Sequence, residues 1–338
     1  MMNVFKSNKS KLIGLIALFI LLFLVFIVSI SVGQTPITVI TTIQAFIQYD
    51  PSNTEHIIIM TSRISRALIA VVIGACLAIA GTLMQAMTRN PLALPDLLGI
   101  NAGGLFFIVL SITFLSLNSL TSYMWMGLLG AGIAGVLVFF LGSLGRDGLS
   151  PLRIVLAGAA ISALFASGTQ GLLVIDEQSI QSILFWMAGS VAGRDLNMLV
   201  SVFPYLGMAM IVALFLGRPL NILLSGEDVA KGLGQRTVLV KIIVGLVVIM
   251  LAGGSVAVAG AIGFIGLIVP HIVKGLIGRD HRWVIPYSAL VGAMLLLVAD
   301  MIARVIIMPQ EVPIGVMTAF IGAPFFVYIA RKGLKRNA

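Results

Sequence analysis

The stretch RPLNILLSGEDVAKGLGQRTVLVK, Arg218 to Lys241, is the longest polar interruption in the C-terminal half of an otherwise apolar chain. It separates two apolar runs, roughly 197–217 and 238–258, each as long as the about 20 residues a membrane crossing needs. Its centre, Ser225 to Gly234, reads as a short capped helix. Ser225 is placed to cap the N-terminus, and Asp228 three residues on gives a capping-box pattern. Glu227 and Asp228 sit at the positive end of the helix dipole, with Lys231 nearer the negative end. Gly234 is placed as a C-terminal stop. Val229 and Leu233, four apart, share a face. A helix that a membrane chain folds outside the bilayer is expected to touch a partner.

Outward from this island the chain is nearly all membrane. It has 338 residues, 59% hydrophobic and 10% charged, with mean hydropathy +1.14. That composition excludes an ordinary soluble domain and points to an all-α polytopic membrane protein. Ten spans are read, at roughly 12–33, 64–87, 92–116, 122–143, 151–175, 197–217, 238–258, 260–278, 284–307 and 313–331. They form one transmembrane domain over 1–338, with 218–241 as a loop within it. The seventh and eighth are divided only by small residues, and Gly260, Gly263, Gly266 and Pro270 make the eighth the expected short or broken span. The first apolar segment is too long for a signal peptide and lacks a clear cleavage site, so it is expected to be a true span. The segment 34–62, with Pro36, Pro51 and a turn-like Asp-Pro-Ser-Asn, reads as a loop carrying a short helix. Small residues at helical spacing, such as Gly74 and Ala78 or Gly99 and Gly103, fit either close helix packing or a lining that slides. Cys76, the single cysteine, reads as a small core residue.

The net charge of +9 sorts by side. With the N-terminus inside and ten spans, 17 of the 21 Lys and Arg fall on the cytoplasmic side, among them Lys6, Arg146, Lys335 and Arg336. Both termini and the island are therefore expected in the cytoplasm. Only Arg63, Arg66, Arg194 and Arg304 fall outside, where Asp50, Glu55, Asp176, Glu177, Asp195 and Glu311 also lie. Arg63 and Arg66 flank the mouth of the second span and Arg304 that of the ninth. Arginines so placed suit acidic side chains of a docking partner through bidentate contacts. Lipid-phosphate anchoring or local loop pairing is the alternative.

No enzyme motif stands up. His56, His271 and His281 have no metal-ligand spacing, and there is neither a G-x-S-x-G elbow nor a P-loop. His271 is expected to be structural. Charges inside the spans are few; Asp300 and its i+4 neighbour Arg304 are expected to pair near the outer surface. A chain so poor in intramembrane acids is ill suited to ion coupling, so energy for uphill transport is expected from another subunit. The 225–234 helix, joined by the inner polar turn Gly278-Arg279-Asp280-His281-Arg282, is the expected point of entry.

Five stretches then carry a family resemblance: Arg63-Ile-Ser-Arg66; LAIAGTLMQAMTRNPLALPDLLGINAGG, 77–104; SGEDVAKGLG, 225–234; GAIGFIGLIVPHIVKGLIGRDHR, 260–282; and EVPIGVMTAFIGAPFF, 311–326. In this order, over nearly the whole length, they resemble the FecCD-type permeases, membrane subunits of ATP-binding-cassette importers for iron–siderophore complexes, haem and cobalamin. Ser65 departs from the family's usual proline, which should slightly loosen the start of span two. The resemblance implies a bacterial plasma-membrane protein with ten helices per subunit and a second permease subunit, identical or paralogous. It implies two cytoplasmic ATPase subunits, which bind the ATP and Mg while this chain holds no cofactor, and an extracytoplasmic binding protein. Carried over by position, Arg63, Arg66 and Arg304 would meet acidic residues of the binding protein. Ser225, Gly226, Glu227, Asp228, Ala230, Leu233 and Gly234 would form the segment seated on the ATPase. The expected cargo is a ferric siderophore; the alternatives are haem or cobalamin in the same class, or an ion-coupled secondary transporter.

Overall fold

Inside a bilayer every backbone N–H and C=O must find a partner within the protein, so apolar runs of this length fold as helices. The computed structural model describes residues 7–35, 37–115, 117, 119–144, 150–175 and 179–334. Lys6, Pro36, Arg146, Asp176, Glu177, Lys335 and Arg336, used in the readings above, lie outside the described residues. In chain order the helices are α1 (Asn8–Ser31), α2 (Val39–Ile47), α3 (Thr54–Ile58), α4 (Ile64–Thr88), α5 (Ile100–Leu115), α6 (Leu120–Ser143), α7 (Pro151–Ile175), α8 (Ser179–Ala188), α9 (Leu196–Phe215), α10 (Gly217–Leu224), α11 (Glu227–Gly232), α12 (Thr237–Ala259), α13 (Ile265–Ile277), α14 (His281–Val305) and α15 (Ile314–Leu334). Among the described residues there is no strand, only an isolated bridge between Ile307 and Gln310.

Among the described residues seven helices are long and apolar enough to cross a membrane: α1, the Thr54–Thr88 rod, α6, α7 from Leu152, α9, α12 and α14. The other three apolar segments fold as shorter helices, Ile100–Leu115, Ile265–Ile277 and Ile314–Ile329. Backbone chemistry shortens the first two. A 3-10 turn at Pro95–Leu98 and left-handed Gly99 (φ 66°) delay α5 until Ile100. Between α12 and α13, Gly260 (φ 74°) and Phe264 (φ 66°) leave the right-handed region, and the chain breaks there as expected. The break is held by Ala261 N donating to Trp186 O at 3.0 Å and Ser190 N donating to Ala259 O at 2.8 Å.

The second span differs from its sequence reading. α3 runs through a π-helical turn, Ile59–Arg63, into α4, giving a continuous 35-residue rod. Ser65 keeps the backbone N–H that a proline lacks, and its hydroxyl donates to Thr61 O at 3.1 Å. The span therefore starts at Thr54 and passes a π-helical turn, where the sequence reading began it at residue 64. The 34–62 segment holds two short helices, α2 and α3, instead of one. The helices α8 and α10 were not legible as separate elements.

The α4 rod is the centre of the bundle: 83% of its best apolar window is buried, against 22% for α1. Its glycines allow this. A Cβ on Gly74 would lie 2.4 Å from Gly292 O of α14, and one on Gly81 would lie 2.0 Å from Gly266 O of α13. Backbones meet where no side chain intervenes, the close-packing use of small residues in lipid. Cys76 is fully buried in this core.

Candidate functional site

The polar island folds as two short helices back to back. α10 turns its Leu220 and Leu223 into the bundle. Ser225 belongs to the end of this helix, not to the start of the next: its hydroxyl donates to Asn221 O at 3.4 Å. The chain reverses at Gly226 (φ 128°), which stands at the N-cap of α11 with no side-chain cap. Only glycine adopts that backbone without strain, so the turn between abutting helices fixes the cap position and displaces the expected Ser225–Asp228 box. The C-terminal stop is where expected. Gly234 (φ 80°) donates its N–H to Lys231 O at 2.9 Å, and Gln235 N donates to Ala230 O at 2.9 Å, the two bonds of a Schellman end.

Four attachments hold this segment under three long helices and to itself. Glu227 accepts from Lys241 Nζ of α12 at 2.7 Å; the Lys241 side chain is only 5% exposed. That bond holds the Glu227 carboxyl below its ordinary range. Arg89, left-handed at the end of α4 (φ 52°), donates Nη2 to Leu223 O at 2.7 Å. Asn221 donates to Asp280 Oδ1 at 2.6 Å and accepts from His281 N at 2.9 Å, at the start of α14. Gln235 closes the loop by donating to Pro219 O at 3.0 Å. Asp280 also caps α14 and accepts from Arg282, whose guanidinium lowers its carboxyl to about 2. The polar turn 278–282 thus joins the segment, as the sequence implied. Ala230 is buried, while Val229 and Leu233 face outward together, 51% and 69% exposed. Lys231 lies 3.7 Å from Glu227 and is open to solvent.

At the opposite end the three arginines converge, but inward. Arg63, 6% exposed, donates Nη1 to Ile30 O at 2.9 Å and Ser31 O at 2.7 Å, and Nη2 to Thr35 O. Arg304, 2% exposed, donates to Ser29 O at 2.8 Å and Val32 O at 2.9 Å and pairs with Asp300. Together they bracket the last carbonyls of α1, the negative end of that helix. Arg66 faces Asp300 with Nε (2.9 Å) and Nη2 (2.8 Å) and Glu311 with Nη1 (2.6 Å). Asp300 is fully buried, so the expected Asp300–Arg304 pair is part of a larger network that includes Arg66. All three guanidiniums have internal partners, and only Arg66 and Glu311 reach the surface, with side chains 13% and 26% exposed. Sequence reading placed Arg63 and Arg304 on an outer docking face; their carbonyl partners lie about 30 and 275 residues away in the chain and gave no local signal. Glu311, the first residue of the 311–326 motif, was not singled out.

A third place is a mostly apolar cavity of about 240 Å³ among α5, α7, α8 and α12, with Asn101, Thr169 and Gln170 as its polar lining. Asn101 donates to Asp96 just ahead of α5. Trp186 forms part of the wall, and Arg194, the fourth arginine that charge sorting assigned to the outer side, stacks 3.9 Å over its ring. His271 meets Phe325 edge-on at 5.8 Å. Among the described residues no three His, Cys, Asp or Glu side chains gather as a metal set.

Residues 21–332 match the FecCD transport family. The chain is 51% identical over 332 residues to the probable siderophore transport system permease protein YfiZ of Bacillus subtilis (strain 168), covering 98% of this chain and 99% of that one. It is 42% identical over 305 residues to the Fe(3+)-citrate import system permease protein YfmD of the same organism, covering 90% of each. Its fold superposes on an inward-facing structure assigned to the metal-chelate type of ABC transporter, with TM-score 0.83 and 32% identity, covering 94% of this chain and 98% of that one. The chain belongs to the FecCD transport family, and its long apolar helices make it a multi-pass membrane protein.

Proposed function

We propose that this chain is the permease subunit of an ATP-driven importer that carries ferric siderophore complexes inward across a bacterial plasma membrane. The observation that carries this reading is the α10–α11 segment. It stands outside the long helices, is anchored to α4, α12 and α14, and presents Val229 and Leu233 outward. A segment so tied can turn a push from below into tilting of the bundle. The force comes from two ATPase subunits, which bind the ATP and Mg, and Val229 and Leu233 seat on one of them. A second permease subunit completes the path. In this reading all ten apolar segments cross, three of them as shorter helices, and both termini lie inside. The cargo assignment draws on the siderophore and Fe(3+)-citrate permeases that this chain resembles.

On the outer side a binding protein delivers the chelate. Arg66 offers the contact to its carboxylates, and Arg63 and Arg304 hold the surrounding backbone in shape. The test is uptake of iron-55 as ferric siderophores by cells lacking this chain, with and without its restoration. Uptake should return with the chain, vanish with an ATPase-dead partner and survive an ionophore. Uptake that ignores the ATPase and collapses with the ionophore would replace this reading with ion coupling.

A further inference from the structure

Arg66 is held on two edges by carboxylates of different character. Its Nε and Nη2 face Asp300, which is fully buried and also bound to Arg304. Its Nη1 faces Glu311, which lies at the surface on the extended chain between α14 and α15. A guanidinium offers such separate edges in a fixed plane, so one can change partners while the other stays. The buried edge is fixed. The surface edge carries the arrangement that a carboxylate from another protein would make.

We propose that Glu311 holds the place of a partner carboxylate, and that docking is an exchange at Arg66 Nη1. This rests on the reading that a binding protein docks on this face. The exchange sets one carboxylate in the place of another on the same guanidinium edge, so it is nearly balanced. The exchange has a structural output. Glu311 stands three residues before Ile314, where α15 begins. The neighbouring chain is held by Gln34 donating to Pro309 O at 2.7 Å, Val312 N to Ala303 O at 3.1 Å and Gly315 N to Gly189 O at 3.0 Å. Release of Glu311 removes the side-chain tie between the start of α15 and α4. Arrival of a partner is thereby communicated to α15 without any movement of the buried Asp300.

The test is the affinity of the assembled importer, in nanodiscs, for its chelate-loaded binding protein, compared between wild type and Glu311→Gln. Loss of the internal competitor should tighten binding about 5- to 10-fold, at the low end of a typical coupling between sites. Amide exchange over 307–316 should rise on docking in wild type and be already raised in the free variant. Glu311→Ala should behave alike. If wild type binds and both variants bind equally or more weakly, the exchange is wrong while the importer reading stands. If wild type fails to bind any loaded binding protein, the importer reading falls and takes the exchange with it.

Discussion

Glu227→Gln should loosen the inner segment and separate ATP hydrolysis from transport. The substitution keeps the shape of the side chain and removes its charge. It weakens the 2.7 Å bond from Lys241 and the 3.7 Å approach of Lys231. Lys231 is 59% exposed, and such an i,i+4 pair contributes about 0.3–0.5 kcal/mol. The Lys241 bond is charge-assisted and its ammonium nearly buried, so it contributes about 1.5–3 kcal/mol. A total near 2 kcal/mol corresponds to about 30-fold in an opening equilibrium. Hydrogen exchange over 226–237 should accelerate by about that factor. The importer reconstituted in liposomes should hydrolyse ATP but move less chelate per ATP, with unchanged affinity for its binding protein. Exchange within a few-fold of wild type, or an unchanged transport-to-hydrolysis ratio, would refute the transmission role of this bond.

Gly81→Ala places a methyl against backbone, 2.0 Å from Gly266 O, and should lower stability by about 1–3 kcal/mol or more, while Gly132→Ala, with nothing within 4 Å, should be silent in the same thermal unfolding scan. Arg304→Met removes one partner of fully buried Asp300 and the contacts to Ser29 O and Val32 O; it should cost about 3–5 kcal/mol and expose the outer end of α1 to protease. Reversing Arg63 and Arg66 together to Glu should abolish folded protein rather than docking alone, read as loss of the monodisperse peak in detergent. Asp280 is lowered to about 2 and Glu227 is lowered too; carboxyls depressed by folding stabilise above their unfolded values and lose that contribution as pH falls through the folded ones. Exchange protection of the 217–237 segment should therefore be flat from pH 8 to 5 and decline between about pH 4 and 2.

The long helices could be read from the sequence because length and hydropathy report on lipid, and lipid acts on each segment separately. The break at Gly260 was legible for a related reason, since glycine acts through its own backbone, but the one at Gly99 was not: the third span was read as continuous over 92–116, and left-handed Gly99 delays its helix to Ile100. Gly234 ended its helix as read, but Ser225 capped nothing, because α10 ends directly against α11 and only Gly226 can take the turn between them. The arginines show the limit most clearly. A charge near a helix end reads as facing water, yet Arg63 and Arg304 face carbonyls of a helix formed far earlier in the chain. Such partners are set by packing, and one sequence does not reveal packing. The Glu227–Lys241 pair, 14 residues apart across a reversal, was hidden in the same way.

The bracket around the end of α1 bears on how the protein is made. α1 is made before either of its arginine holders, and it is the least enclosed of the seven long helices among the described residues. One of its two arginine holders arrives soon, at Arg63; the other, at Arg304, is synthesised only after eight further apolar segments. Until then the outer end of α1 has only half of its grip. A chain truncated before Arg304 would leave that end of α1 half held, so completion of its grip reports that the segments from α4 through α14 have been inserted and packed.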